Sequence, residues 1–301
     1  MTPFANEADY ELCRQLHRRF GTTYYASSRL FPPSIRRRVH ALYGFVRVPD
    51  EWVDNPDSTD VDEIRARLEG WRAEMDRGVA GTEAPTHPVL RAFCDVARET
   101  RLPLAEAHRF IDAMAMDLET TRYATYRDLE NYMAGSAAAV GVMMTCLVDA
   151  PRDEETLACA RALGNAMQLT NFLRDVAEDA ERGRIYLPQE DLERFGVSES
   201  EVMDGVFSDR MERLIRFEIA RARNLYRDSH PGIRNLSGPS QSAVLLARVL
   251  YSRILDRIEM QGANVFVGRV RTTTPEKLFV AGQVLVQGPA MLDRMERSPM
   301  L

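Results

Sequence analysis

Two short acidic patterns carry the chemistry of this sequence. In Tyr43-Gly-Phe-Val-Arg-Val-Pro-Asp-Glu-Trp-Val-Asp54, Asp50 and Asp54 stand four apart and Arg47 precedes Asp50 by three. On a helix all three share one face. In Gln168-Leu-Thr-Asn-Phe-Leu-Arg-Asp-Val-Ala-Glu-Asp179, the residues Gln168, Asn171, Asp175 and Asp179 step by three, four and four. They form a polar stripe on a helix that is otherwise rich in Leu, Phe, Val and Ala. One Asp-x-x-x-Asp alone is common on solvated helix faces. Two of them, each in apolar surroundings, call for another explanation. Two carboxylates about 4 Å apart repel by roughly 4 kcal/mol at an effective dielectric near 20, and a cation between them reverses that sign. Oxygen donors without Cys or His suit Mg²⁺ better than Zn²⁺. Such an ion uses one or two carboxylates and keeps places for substrate phosphates. The chemistry this favours is loss of a diphosphate, with metal and arginine taking up charge as the carbon–oxygen bond breaks. After the second pattern, Glu181-Arg-Gly-Arg-Ile-Tyr-Leu-Pro188 carries Arg182, Arg184 and Tyr186 on an expected loop. That loop is placed to close over phosphates and exclude water.

The elements that must position these residues read as helix after helix. Period-2 runs of Val, Ile and Thr are missing, so strands have little support. The pattern predicts helices near 6–19, 33–53, 60–78, 87–99, 103–120, 126–149, 153–181, 198–228, 238–261 and 275–295. Asn55-Pro56, 81–85, Leu102-Pro103, Pro151 and His230-Pro231-Gly232 separate them. Asp60 with Glu63 and Ser198 with Glu201 read as reciprocal helix caps. Pro49, directly before Asp50, is expected to remove a backbone hydrogen bond and kink its helix. No linker or solenoid repeat is evident, so residues 1–301 read as one all-α domain large enough to enclose a cavity.

Composition narrows the class. The 301 residues are 45% hydrophobic and 28% charged, with net charge −6, which speaks against a nucleic-acid binder. Lys277 is the sole lysine, so positive charge is nearly all guanidinium, suited to phosphate and carboxylate. Cys13, Cys94, Cys146 and Cys159 form no metal-type spacing, and a reduced, cytoplasmic protein is expected. His17, His40, His87, His108 and His230 are scattered and read as surface or boundary residues. The N-terminus lacks the pattern of a signal peptide. The uncharged stretch Asn131–Val148 is rich in Ala and Gly. It reads as a helix packed inside the protein rather than a membrane span.

On these residues the sequence resembles the squalene/phytoene (head-to-head prenyl) synthases. Residues 171–188 match the second aspartate motif and flap of that family, and Ala41 to Asp54 match the first motif. Thr22-Thr-Tyr24-Tyr25 matches the start of its N-terminal signature. Asp117-Leu-Glu-Thr-Thr-Arg-Tyr123 and Tyr132-Met-Ala-Gly-Ser136 with Gly141 match the middle. The resemblance runs from about Thr22 to Lys277. It implies an isoprenoid-synthase fold with a central cavity and Mg²⁺, or Mn²⁺ in its place, on Asp50, Asp54, Asn171, Asp175 and Asp179. It implies further that Arg47, Gln168, Arg174, Tyr186, Tyr251 and Arg269 contact diphosphate or its metal shell, and that Tyr24, Tyr43 and Tyr132 line the cavity near the reacting carbons. Tyr24 stands where the family often has phenylalanine.

The resemblance also implies the reaction. Two prenyl diphosphates join through a cyclopropylcarbinyl diphosphate, which ionises and rearranges to a head-to-head hydrocarbon. Such cations need walls that neither trap them nor admit water. Tyr24, Phe45, Tyr132, Met143, Met144 and Phe172 are the expected walls. The motifs are closest to the branch that joins two C20 units, loses a proton and needs no nicotinamide cofactor. Joining of C15 units is the alternative, and an inactive assembly protein is a third reading. The expected partners are prenyl diphosphates, with loose membrane contact and carotenoid-pathway enzymes as family-level expectations and nucleic acid excluded.

Overall fold

The computed structural model describes residues 2–56, 58 and 60–297. Among these, α-helices account for every regular element except one π-helical turn, and there are no strands. The chain begins with α1 (Glu7–Phe20), α2 (Thr22–Ser28) and α3 (Pro33–Asp54). Next come α4 (Val61–Ala80), α5 (Pro88–Thr100), α6 (Leu104–Met116) and α7 (Tyr126–Met133). A π turn over Ala134–Ala138 leads into α8 (Ala139–Leu147), followed by the long α9 (Glu154–Glu181). The remainder is α10 (Gln189–Phe195), α11 (Glu199–Met203), α12 (Asp209–Asp228), α13 (His230–Asn235), α14 (Gly238–Met260), α15 (Thr274–Gln287) and α16 (Ala290–Arg297).

Helix α3 packs against α1, α5, α6 and α8, while α9 packs against α8, α12, α13 and α14. The two acidic helices are thus each surrounded by others, and the core is the apolar surface between them and that ring. Phe45 of α3 stacks on Phe93 of α5 with centroids 3.8 Å apart. The stretch Asn131–Val148 lies inside, with Met133, Met143 and Leu147 fully buried. No helix among the described residues is long and apolar enough to cross a membrane. All four cysteines are buried and free.

Several expectations are corrected. The helix expected over 126–149 is interrupted by the π turn. There Gly135 lies so close to α6 that an added Cβ would sit 2.4 Å from the Arg109 carbonyl oxygen. The span 198–228 is two helices: Gly205 adopts φ +66, and Ser208 then caps α12 by accepting from the Met211 amide. The span 275–295 breaks at Gly288, at φ +53, before Pro289. The helix expected to reach residue 120 ends at Met116. Helices α2, α10 and α13 are additions. In α13 the expected breaker Pro231 sits in the first turn, where its missing amide costs nothing. Ser198 and Glu201 do form a reciprocal cap, whereas Asp60 is seen to cap through the amides of Asp62 and Glu63. Pro49 lies inside α3, which continues to Asp54. His17, His40 and His230 are buried rather than at the surface.

Helices α8 and α9 touch backbone to backbone at Gly141, where an added Cβ would lie 2.3 Å from the Ala160 carbonyl oxygen. Gly141→Ala is therefore expected to destabilise the fold by about 1–3 kcal/mol. Gly70 in α4 meets nothing within 4 Å, and Gly70→Ala is expected to stabilise by about 0.5–1 kcal/mol. Denaturant unfolding of both variants tests the pair; equal effects would contradict the packing described.

Candidate active site

A cavity of about 780 Å³ opens between α3 and α9, toward the upper end of the usual range for small-molecule sites. The residues expected to hold metal or diphosphate or to face the reacting carbons line it: Asp50 and Asp54 from α3, Asn171, Asp175 and Asp179 from α9, and Arg47, Arg174, Arg269, Gln168, Tyr24, Tyr43, Tyr132, Tyr186 and Tyr251 around them. The stripe on α9 works as its spacing predicts, since an uninterrupted 28-residue helix keeps steps of three and four on one side.

The carboxylates are held by guanidinium groups. Arg47 pairs with both Asp50 and Glu51 one turn along α3. Arg184 donates to Asp54 over 2.6 Å. Arg174 grips Asp175 with two bonds of 2.7 and 2.5 Å. Arg269 reaches the same carboxylate at 2.9 Å and Glu178 at 3.0 Å. Arg182 stands 3.9 Å from Asp179. Burial works against the Arg174 charge, but its bonds to Asp175 hold its pKa above the ordinary arginine value.

Negative charge nevertheless exceeds what these cations neutralise at two positions. Burial pushes Asp179 up to about 8, reinforced by Asp175 and Asp54. Burial, with Asp54 adding to it, pushes Asp50 up to about 7. Asp50 keeps 37% of its side-chain surface open. That surface faces the cavity it lines, whose apolar walls explain the strong effect of burial. The Asn171 amide donates to Gln168 over 3.3 Å, while its carbonyl oxygen is buried without a partner. An oxygen-only donor set, excess negative charge and an orphaned amide oxygen together fit a hard divalent cation. Among the described residues, no three acidic, histidine or cysteine side chains gather closely enough to cage one ion. The arrangement instead suits ions held by one or two carboxylates each and completed by substrate phosphate.

The loop after α9 is tied down. Its Ile185 amide donates to the Thr121 carbonyl over 3.0 Å and the Gln189 amide to Tyr123 over 2.9 Å, forming an isolated parallel bridge between Arg122 and Ile185. Arg184 and Tyr186 consequently point inward, while Arg182 stays by Asp179.

Sequence spacing assigned no role to Asp117, which lines the cavity and accepts from the hydroxyls of Tyr132 and, over 3.2 Å, Tyr186. Burial pushes its carboxyl up to about 6 against those two hydrogen bonds. The available signal was a lone acid following the apolar end of α6 within a matched block. Around it, Phe172 and Tyr186 stack at 4.1 Å, with Tyr132 and Tyr123 on Tyr186 at 5.9 Å each. These π faces can stabilise a developing cation. Tyr24 donates to the Met144 sulfur over 2.9 Å, and Tyr43 stacks on buried His17 at 4.2 Å. Phe45 and Met143 are not cavity walls: both are fully buried in the helix core behind it. No histidine lines the cavity among the described residues.

The comparisons with known proteins agree with this geometry. The family profile described as squalene/phytoene synthase matches residues 17–276. A 15-cis-phytoene synthase from Synechocystis is 38% identical over 91% of this chain and 83% of its own length. One from Synechococcus elongatus is 37% identical over 89% and 90%. Among solved structures, a dehydrosqualene synthase in complex with ligand superposes with TM-score 0.85 at 27% identity, covering 93% of this chain and 96% of that one. A squalene synthase from Alicyclobacillus acidocaldarius gives 0.77 at 28% identity, covering 85% and 95%.

Folding raises the carboxyl pKa of Asp50 and Asp179, so between pH 4 and about 8 these two groups bind more protons in the folded protein than in the unfolded chain. Their contribution to stability then falls as pH rises through that window. Buried His17 and His40, lowered by burial, act in the opposite sense but only below the ordinary histidine range. In chelator-containing buffer the melting temperature is therefore expected to fall between about pH 6.5 and 8.5, and Asp179→Asn to flatten that fall. A slope unchanged in the variant would contradict the electrostatics.

Proposed function

This chain belongs to the squalene/phytoene synthase family, and from that premise we propose that it joins two geranylgeranyl diphosphates head to head to make phytoene for carotenoid biosynthesis. It is a prenyltransferase with the all-α isoprenoid-synthase fold. The observation that carries the reading is one cavity with carboxylates and arginines at one part of its wall and tyrosine and aliphatic side chains over the rest. The lining residues run from Arg19 in α1 to Thr272 in the loop before α15, which supports treating the chain as one catalytic unit.

We infer that Asp50, Asp54, Asn171, Asp175 and Asp179 hold Mg²⁺, with Mn²⁺ as a substitute. When bound, the metal supplies Lewis-acid stabilisation of the leaving diphosphate. Arg47, Arg174 and Arg269 already present guanidinium forks to oxygen anions, and a diphosphate offers them the same geometry in place of Asp50 and Asp175. Gln168 and Tyr251 stand on the same wall and orient the oxygens. Tyr186, anchored on Asp117, fixes the flap side and keeps water from the cation. Tyr24, Tyr43 and Tyr132 offer ring faces and buried hydroxyls, whose pKa values burial holds above the ordinary tyrosine value, so they are poor traps for a carbocation. Two diphosphates and two protons leave overall, so the products balance without a reductant. The proton acceptor is the released diphosphate rather than a histidine.

Joining of C15 units remains the second reading, favoured by the resemblance to dehydrosqualene and squalene synthases. Phytoene-synthase relatives at 33 to 38% identity weigh against it. Incubation of the pure protein with the C20 or the C15 diphosphate, with and without NADPH, followed by identification of the hydrocarbon, separates the two. Phytoene from the C20 substrate without NADPH is expected; no diphosphate release from either substrate would overturn both readings. Asp175→Asn is expected to reduce turnover about a hundred- to a thousandfold, the usual range for removing a key electrostatic group, while the melting temperature stays near that of the parent. Near-normal turnover would contradict the assignment.

A further inference from the structure

The cavity follows α9 far beyond the carboxylates. Side chains of α9 line it from Asp179 down to Thr156, 23 residues earlier in an uninterrupted helix, which is about 34 Å along the axis. The wall changes character on the way. Asn171, Asp175 and Asp179 make the polar end, while Met167, Leu163 and Ala160 continue the same side as apolar surface, each keeping part of its surface open where it faces the cavity. Helix α13 packs on α9 at the far end, so tightly that a Cβ added to Gly232 would lie 2.4 Å from the Cys159 Cβ. Ile233 of α13 lines the cavity there, as does Val148 at the end of α8. Thr156, Cys159, Val148 and Ile233 are all buried, so the cavity ends on a floor at this level. Among the described residues, no aromatic side chain lines it from α8, from α13 or from the part of α9 before Phe172.

Depth decides which prenyl chain such a floor admits. One turn of α9 advances about 5.4 Å, close to the length of one extended isoprene unit. Counted from Asn171, the first of the proposed metal ligands on α9, about three turns reach Ala160 and about four reach the level of Thr156. A C15 chain has three isoprene units and a C20 chain has four. With its diphosphate held among the carboxylates, a C15 chain therefore stops near Ala160, and the fourth unit of a C20 chain lies beside Cys159, between Ala160 and Thr156. The small side chains at these three positions leave that space open. The contact between Cys159 and the backbone of Gly232 fixes its bottom, because neither helix can yield there without moving as a whole.

We propose that Ala160, Cys159 and Thr156, closed off by Gly232 and Ile233 of α13, are the length gauge for one of the two prenyl chains and make room for a fourth isoprene unit. The gauge deepens the proposed function and rests on it for the identity of the ligand. The test uses unreactive thiolodiphosphate analogues of the C20 and C15 substrates, bound to the full chain with Mg²⁺ and followed by calorimetry. Ala160→Phe puts a ring at the level of the fourth unit. It is expected to weaken the C20 analogue about a hundredfold, within the range for one group too many in an apolar pocket, and to leave the C15 analogue bound as by the parent. Where the melting temperature shows that phenylalanine is not accommodated, Ala160→Leu is measured in its place, with a smaller loss in the same direction. With both reactive substrates present, the hydrocarbons made by the variant are expected to shift from C40 to shorter products. A variant that binds both analogues as the parent does, or that loses both equally with its melting temperature retained, would overturn the gauge. Hydrocarbon analysis of the parent judges the proposed function separately: a C30 product alone would sink the phytoene reading, while length-selective loss of binding in Ala160→Phe would still uphold the gauge.

Discussion

The structure depends on crowding carboxylates into an apolar chamber. Two helices bring Asp50, Asp54, Asp175 and Asp179 to one cavity, and such charges repel strongly once water is thinned around them. Guanidinium groups answer most of that repulsion. Arg184 crosses from the flap on the α9 side to Asp54 on α3, and Arg269 crosses from the loop before α15 to Asp175 on α9. These cross-links join segments distant in sequence to the two acidic helices. What they leave unbalanced is the reason the site is suited to bind rather than merely persist.

The same imbalance organises the rest of the cavity. Polar groups are concentrated where α3, α9 and the flap approach, and three cavity tyrosines have their hydroxyls engaged: Tyr24 on Met144, and Tyr132 and Tyr186 on Asp117, while the Tyr43 ring stacks on His17. Those three rings are thus presented with their hydroxyls already bonded rather than free to quench a cation. The pairing of His17 with His40 over 2.9 Å, buried behind Tyr43, belongs to this support.

Much of this was legible in the sequence because it follows helical period. The α9 stripe and the Arg47–Asp50–Asp54 face need only local spacing to be read. What depends on contacts between distant segments was not. The π turn arises where Gly135 meets the Arg109 carbonyl, and nothing near residue 135 announces that neighbour. Phe45 and Met143 carry the apolar character expected of cavity walls, but period alone does not say whether a side chain faces the cavity or the ring of helices behind it. Asp117 is one acid in a turn until Tyr132 and Tyr186 arrive from elsewhere. His17 and His40 read as boundary residues because a buried imidazole is tolerated only with a partner, here 23 positions away.

The central claim is that the paired carboxylates bind a divalent cation jointly with a diphosphate. Calorimetric titration of inorganic pyrophosphate into the protein, with Mg²⁺ and then with chelator, tests it most directly. The account predicts binding that requires Mg²⁺ and is lost on replacing Asp54 or Asp179 by asparagine. Pyrophosphate binding of equal strength in chelator, or indifference to both substitutions, would contradict it.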